Sequence, residues 1–303
     1  MKMRVVDLFC GVGGATIGLQ RAGMEVVAGV EKDAETAALY GEMTGVEAIV
    51  ADVVDLRPGD LPPFDAVWAS PPCQPYSGRT RRGSADPRDG IGALLSFVEN
   101  FHPHILIVEE VPGFRNTREH GLLLQSLYAW GYMPQERVVN ALAFGVPQRR
   151  PRLIIVARLG REWRPFPWPG GITKAPAGEW GWSRVVEWEK AEPRALPRWI
   201  TDRVIEVSPV TLFHPQLSGR GGQRTVGVYP AHAPAPTVTV SGIQHGMYAV
   251  DGEGRSYRLR ERNAARFQAL PWREGLKAKH IGNAVPPPMG SAIGRALVRW
   301  STC

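Results

Sequence analysis

A chain of 303 residues is long enough for one full domain plus a smaller one, since single cores stop growing near about 250 residues. With 44% hydrophobic and 21% charged residues and no apolar run of about 18 residues, it reads as a globular protein, and a bilayer-spanning class is excluded. The net charge of +7 favours a polyanionic partner, although a solvated basic surface explains charge alone equally well.

The chain opens on "MKMRVVDLFCGVGG", whose short apolar stretch runs straight into glycines and carries an aspartate, unlike a signal peptide; a cytoplasmic location is expected. From Arg4 to Arg158 short apolar runs alternate with helical patterns, as in βαβ units on a parallel sheet. The predicted strands are "RVVDLF", "EVVAGV", "DAVWA", "HILIVEE", "QERVVN" and "RLIIVAR". Helices are predicted over Asp33 to Thr44, Gly90 to Phe101 and Thr117 to Trp130. The fold class is therefore α/β, a doubly wound, Rossmann-like sheet.

Composition shifts near Gly160. From there to about Arg224 proline, glycine and tryptophan crowd the chain, with Trp163, Trp168, Trp180, Trp182, Trp188 and Trp199, and regular periods fade. The expected division is a catalytic and cofactor-binding domain over 1–158, a small irregular domain over 159–224, and a returning segment over 225–303. In the last, "APAPTVTVSG" reads as an edge strand, and Arg260 to Ala269 and Pro288 to Trp300 as helices. Because the first strand begins almost at the first residue, no helix precedes it, and the final helix is expected to return and cover that part of the sheet.

"DLFCGVGGATIGLQRAG" is a strand, a glycine turn and an amphipathic helix. Gly11, Gly13 and Gly14 let the backbone approach a ligand at a helix N-terminus. Thr16 stands where the dinucleotide pattern G-x-G-x-x-G has its third glycine, which argues against NAD. Glu31 ends the second strand, placed to accept from ribose hydroxyls, and Asp52 follows in a third turn; helix caps or solvated loop acids are the alternatives for both.

Three cysteines without metal-ligand spacing suit a reducing compartment and call for no metal. One of them stands out. In "SPPCQPYS", Cys73 follows the strand "DAVWA" and is fixed by Pro71, Pro72 and Pro75, on the sheet edge where open α/β folds bind ligands. A lone cysteine after a strand is otherwise a small buried hydrophobe. An aromatic in its place would suit methylation of an exocyclic amine, whereas a thiol suits a carbon that must first be activated by a covalent bond. Glu109 and Glu110 end the strand "HILIVEE" as a solvated end or an acid catalyst. Arg150 and Arg152 enter the last strand on alternate positions, hence on one face.

In this order, "DLFCGVGG", "SPPCQPYS", "EEVPGF", "PQRRPR" and "IGNAVPPPMGSAIG" closely resemble the ordered blocks of the DNA (cytosine-5) methyltransferase family, over nearly all the chain except about Arg158 to Arg224. The resemblance implies S-adenosyl-L-methionine as cofactor, with Phe9, Gly11, Gly13, Gly14 and Pro72 lining it. Glu31 would hold the ribose and Asp52 the adenine amine, while Asn283 would close the pocket. It further implies that Cys73 adds to C6 of a cytosine flipped out of double-stranded DNA, that Glu109 contacts N3 and the amino group, that Arg150 and Arg152 support base and carboxylate, and that Ser77 supports the backbone around the site. One departure is plain: the family usually has Glu-Asn-Val where this chain has Glu109, Glu110 and Val111, and a second carboxylate could raise the pKa of the first.

DNA contacts are expected from two stretches. Arg79, Arg81 and Arg82 lie in a glycine- and serine-containing loop after the cysteine, a flap over the flipped base or simply a solvated loop. Gln216, Arg220, Gln223 and Arg224 can pair bidentately with base edges, and so few readers suit a site of about two to four base pairs. The expected molecule is a monomer, with a cognate restriction endonuclease as a candidate partner. Rival readings are a transfer RNA cytosine-5 methyltransferase and a catalytically silent DNA-binding regulator; retention of Cys73, Glu109, Arg150 and Arg152 argues against the second.

Overall fold

Short runs of β-branched and aliphatic residues, buried on both faces, make the central strands, and capped amphipathic stretches make the helices between them. In a computed structural model that describes residues 2–72, 90–160, 162–170, 181–204, 210–217 and 224–302, the chain forms two compact units. The first comprises Met1–Asn140, Pro151–Pro169 and Met289–Cys303, the second Ala141–Arg150 and Gly170–Pro288.

The first unit runs β1 (Arg4–Leu8), α1 (Gly14–Arg21), β2 (Glu25–Glu31), α2 (Ala34–Thr44), β3 (Ala48–Val50), β4 (Ala66–Ala69), α3 (Ile91–Phe101), β5 (Ile105–Glu110), α4 (Arg118–Ala129), β6 (Tyr132–Asn140) and β7 (Pro151–Leu159). Its seven strands are ordered β3-β2-β1-β4-β5-β7-β6; all are parallel except β7, which runs antiparallel to both neighbours. The chain order therefore reverses between β1 and β4, the switch point at whose carboxyl edge open sheets bind ligands. The doubly wound α/β expectation holds, and the predicted helices fall within a residue or two of the observed ends. Asp33 and Thr117 cap α2 and α4 through their side chains. Three-residue β3 carries too little pattern to be seen in the sequence.

The second unit holds β8 (Glu192–Pro193), α5 (Arg198–Thr201), β9 (Thr211–Leu217), β10 (Arg224–Pro230), α6 (Val240–His245), β11 (Met247–Val250), β12 (Ser256–Leu259), α7 (Glu261–Phe267) and α8 (Ala278–Asn283). An antiparallel sheet of order β10-β9-β11-β12-β8 organises it, where the sequence shows only fading periods. Trp182 is fully buried and donates to the carbonyls of Tyr229 and Pro230, while Trp199 packs on the cluster of Ile200, Phe213, Tyr248 and Val250. The edge strand expected at "APAPTVTVSG" is not formed. Pro234 and Pro236 lack N–H groups, so Ala235 makes only an isolated bridge to Gln148, the Gln148 amide oxygen accepts from the Val238 N–H at 2.9 Å, and Thr239 caps α6.

The last helix, α9 (Pro287–Thr302), returns to the first unit as expected. Glycines allow the contact with α1. A Cβ on Gly290 would come within 3.2 Å of the Ala15 carbonyl oxygen, and one on Gly294 within 2.8 Å of the Ala22 Cβ. At the far end Trp300 meets Phe166 edge-on with ring centres 5.3 Å apart.

Candidate active site

At the carboxyl end of β1 the backbone leaves the strand through left-handed conformations, with φ of 55° at Phe9, 53° at Gly11 and 82° at Gly13. For Phe9 this is a sparsely populated region, the kind of local strain that clusters at ligand sites. A Cβ on Gly11 would meet nothing within 4 Å, so that residue faces open space, whereas a Cβ on Gly13 would collide with Thr44 and Tyr40, so Gly13 serves packing. Gly14 is the first residue of α1 and is buried.

Glu31, at the end of β2, is tied to this turn. Its carboxylate accepts from the Gly11 N–H at 3.1 Å and from the Asp33 N–H at 3.0 Å. Each oxygen keeps a lone pair, so the group can still accept from two hydroxyls. Asp52 caps the 3-10 turn of residues 53–55 through an acceptor contact from the Val54 N–H at 3.3 Å. An open glycine turn at a helix start with an anchored acceptor beside it fits the ribose of S-adenosyl-L-methionine.

Beneath the turn lies a polar network that sequence reasoning missed. Asp7 is 1% exposed, and its Oδ2 accepts from the Thr16 hydroxyl at 2.7 Å; that hydroxyl lies 2.8 Å from the Tyr40 hydroxyl. Asp7 Oδ1 has no hydrogen-bond partner among the described residues. Burial pushes the Asp7 carboxyl up to about 7 and the Tyr40 phenol above its usual range. The only sequence signal is an aspartate between Val6 and Leu8 in a strand otherwise fit for a core. Cys10 is 7% exposed, and burial raises its thiol, so this cysteine is packing and not a nucleophile.

One strand further along, β4 and β5 leave the sheet side by side, Ala69 opposite Val108. Pro71 is buried and Pro72 half-buried. Cys73 and Ser77, with Arg79, Arg81 and Arg82, lie outside the described residues.

At the end of β5, Glu109 Oε1 meets the Arg152 guanidinium Nε at 2.8 Å, with the two residues 7% and 8% exposed. Opposite Glu109 on β7 stands Ile154, so Arg152, two residues along, shares its face. Arg152 also donates to the Pro151 carbonyl at 2.8 Å, which aims the fork. Glu110 points to the other face, where its Oε2 accepts from the Val111 N–H at 2.8 Å and burial pushes its carboxyl up to about 8. The raised carboxyl is thus Glu110, the variant position. After it, Glu136 on β6 takes Arg115 at 2.8 Å and His120 at 2.7 Å, fastening the 3-10 turn of residues 112–116 to α4.

Arg150 is held within the second unit. It precedes Pro151, where the strand begins, so strand alternation does not govern it. Its guanidinium, 1% exposed, donates to the carbonyls of Val238, Gly282 and Ala284 at 2.9–3.0 Å within the second unit. Asn283 ends α8 between two of those carbonyls and is exposed. Gln216 lies on β9 and Arg224 opens β10, paired through the register Arg224 to Leu217; Arg220 and Gln223 fall in the connection, residues 218–223, outside the described residues.

Comparison with known proteins agrees with this geometry. The family model of the C-5 cytosine-specific DNA methylase matches residues 3–181. The chain is 27% identical to the Type II methyltransferase M.AplI of Arthrospira platensis, covering 98% of this chain and 86% of that one, and 26% identical to the Type II methyltransferase M.NgoMIV of Neisseria gonorrhoeae, covering 99% and 98%. The crystal structure of the S. pombe Dnmt2 methyltransferase superposes with a TM-score of 0.70 at 17% identity, over 99% of each chain, and shares the fold. A family model spanning more than half the chain, on a sheet with the glycine turn, the anchored Glu31 carboxylate and the buried acid–arginine pair in order, shows that this protein belongs to the C-5 cytosine-specific DNA methylases, the DNA cytosine-5 methyltransferases.

Proposed function

We propose that the protein methylates C5 of a cytosine flipped out of double-stranded DNA, through a transient bond between Cys73 and C6. The observation that carries this reading is the nearly dry Glu109–Arg152 pair at the end of β5, beside the strand that leads to Cys73. C6 cannot be reached inside a stacked duplex, so the base must leave the helix. The Cys73 thiolate, its proton lost to solvent, adds to C6, while Glu109, oriented by Arg152, accepts from the amino group and passes a proton from solvent to N3, so that the ring stays neutral as electron density moves to C5. When bound, S-adenosyl-L-methionine supplies an electrophilic methyl group; Glu31 and the open turn at Gly11 are the residues that would hold it. Once C5 carries the methyl, loss of the C5 proton and expulsion of Cys73 restore the aromatic ring. In this reading Phe9, Gly14, Asp52, Pro72 and Asn283 serve the cofactor, Ser77 supports the loop, and Gln216 and Arg224 flank the base-reading connection. Arg150 acts on the backbone of residues 238–284. The enzyme works in the cytoplasm as a monomer, and a cognate restriction endonuclease is its natural partner.

The test is covalent trapping. Duplex DNA carrying 5-fluorocytosine in the methylated position should capture the protein as a denaturation-resistant adduct in the presence of S-adenosyl-L-methionine, because fluorine does not leave as a proton does. Trapping of Cys73→Ala to the same extent would overturn the assignment.

A further inference from the structure

β5 ends in two adjacent carboxyl groups, and among the described residues one cation, Arg152, acts on them. Arg152 is spent on Glu109 and on the Pro151 carbonyl, both on or beside the same face. Strand alternation sends Glu110 to the opposite face, the one on which Leu106 and Val108 of β5 and Leu153 and Ile155 of β7 join the main apolar cluster. Glu110 is itself 1% exposed. One of its oxygens accepts from the Val111 N–H, and the other, Oε1, has no hydrogen-bond partner among the described residues. A carboxylate there would sit on an apolar face with a single donor and a like charge next door; a carboxylic acid, even with its O–H unpartnered, costs far less.

We propose that Glu110 is a positioning residue that works uncharged, holding the turn at Val111 as a carboxylic acid and leaving the whole charge of Arg152 to Glu109. The proposal rests on the assignment of Glu109 as the acid at the cytosine. α3, β4 and β7 contribute Leu94, Phe97, Val67, Ala69, Leu153 and Ile155 to the apolar cluster on this face. Among the described residues, the ionisable groups that act on Glu110 are Glu109, which favours the protonated form, and Arg152, which opposes it. Arg115 in the turn that follows and His120 in α4 are both taken by Glu136 of β6. Burial is the dominant influence, and it brings Glu110 to about 8, so the acid form prevails at neutral pH.

The test uses Glu110→Ala and Glu110→Gln, the second an uncharged mimic of the acid. In single-turnover methylation of duplex DNA at about pH 7, the alanine variant should lose at least about tenfold and the glutamine variant should recover to within about threefold of wild type. Above about pH 8 the wild-type rate should fall by about tenfold per pH unit while that of Glu110→Gln stays level. Thermal unfolding gives an arm independent of activity. Raising a carboxyl's folded-state pKa makes its stabilising contribution greatest at low pH and lost as pH rises, so the melting temperature of Glu110→Gln minus that of wild type should climb between about pH 5 and 8 and level off above. Parallel melting curves, or a folded glutamine variant as inactive as the alanine one, would overturn the proposal. Absence of methylation in the wild type would overturn the enzyme assignment instead, and the melting curves would still decide the charge of Glu110.

Discussion

An ion pair as dry as Glu109 and Arg152 has a definite signature, because breaking it from one side leaves a buried charge without its partner. Glu109→Gln keeps the shape and removes the charge that aligns the guanidinium. Its single-turnover methylation rate should fall by about 10²–10⁴, the usual share of a positioned acid or base, and chemical-quench kinetics at saturating DNA will measure it. A loss under about tenfold would place the essential acid elsewhere. The sequence made Glu109 and Arg152 visible as candidates, since strand ends and alternate positions are readable from pattern. Which of the two glutamates would hold its proton was not readable. That depends on which face of β5 meets the apolar cluster and which meets Arg152, a matter of strand register with β7. The same holds for Asp7: Thr16 lies 9 residues from it along the chain and Tyr40 a further 24 from Thr16, and only folding brings the three together.

At the scale of elements, α1 and α9 approach closely enough that glycine is required. Gly294→Val should lower the unfolding free energy by about 1–3 kcal/mol, because the added atoms meet Ala22, Leu19 and Met24 in a packed contact. By contrast Gly121 in α4 is exposed, and a Cβ added there would meet nothing within 4 Å, so Gly121→Ala should stabilise by about 0.5–1 kcal/mol through helix propensity. Chemical denaturation of both variants checks the pair; equal effects would mean that α9 does not pack on α1 as described. Helix ends were legible because capping is local, as at Asp33 and Thr117. The proline-rich stretch at 233–242 was misleading because its alternating pattern mimics a strand, while Pro234 and Pro236 remove the donors a ladder needs.

For the molecule as a whole, the stretch expected to read DNA is β9, the connection over 218–223 and the start of β10. So short a stretch offers few base-reading side chains, and each good base contact is worth about 1–3 kcal/mol of discrimination. Methylation mapped by bisulfite sequencing over a whole plasmid should therefore reveal a site of about two to four base pairs. Modified cytosines confined to a fixed site of about six or more base pairs would require readers beyond this stretch. The order of motifs along the chain, glycine turn, strand-end acid, proline-flanked cysteine, paired glutamates and arginines, was determined by the sequence alone, because each piece is a short run legible from its residue types. So was the helical pattern of the last segment, which α9 follows. The tertiary structure decided what those residues do to one another: that Gly11 meets no described neighbour while Gly13 makes room for Tyr40, that Arg152 reaches Glu109 while Arg150 holds the carbonyls of Val238, Gly282 and Ala284, and that Glu110 is turned into the apolar face. Charge states and packing partners are set by neighbours from distant segments, and burial, which selects among them, exists only once the chain has folded.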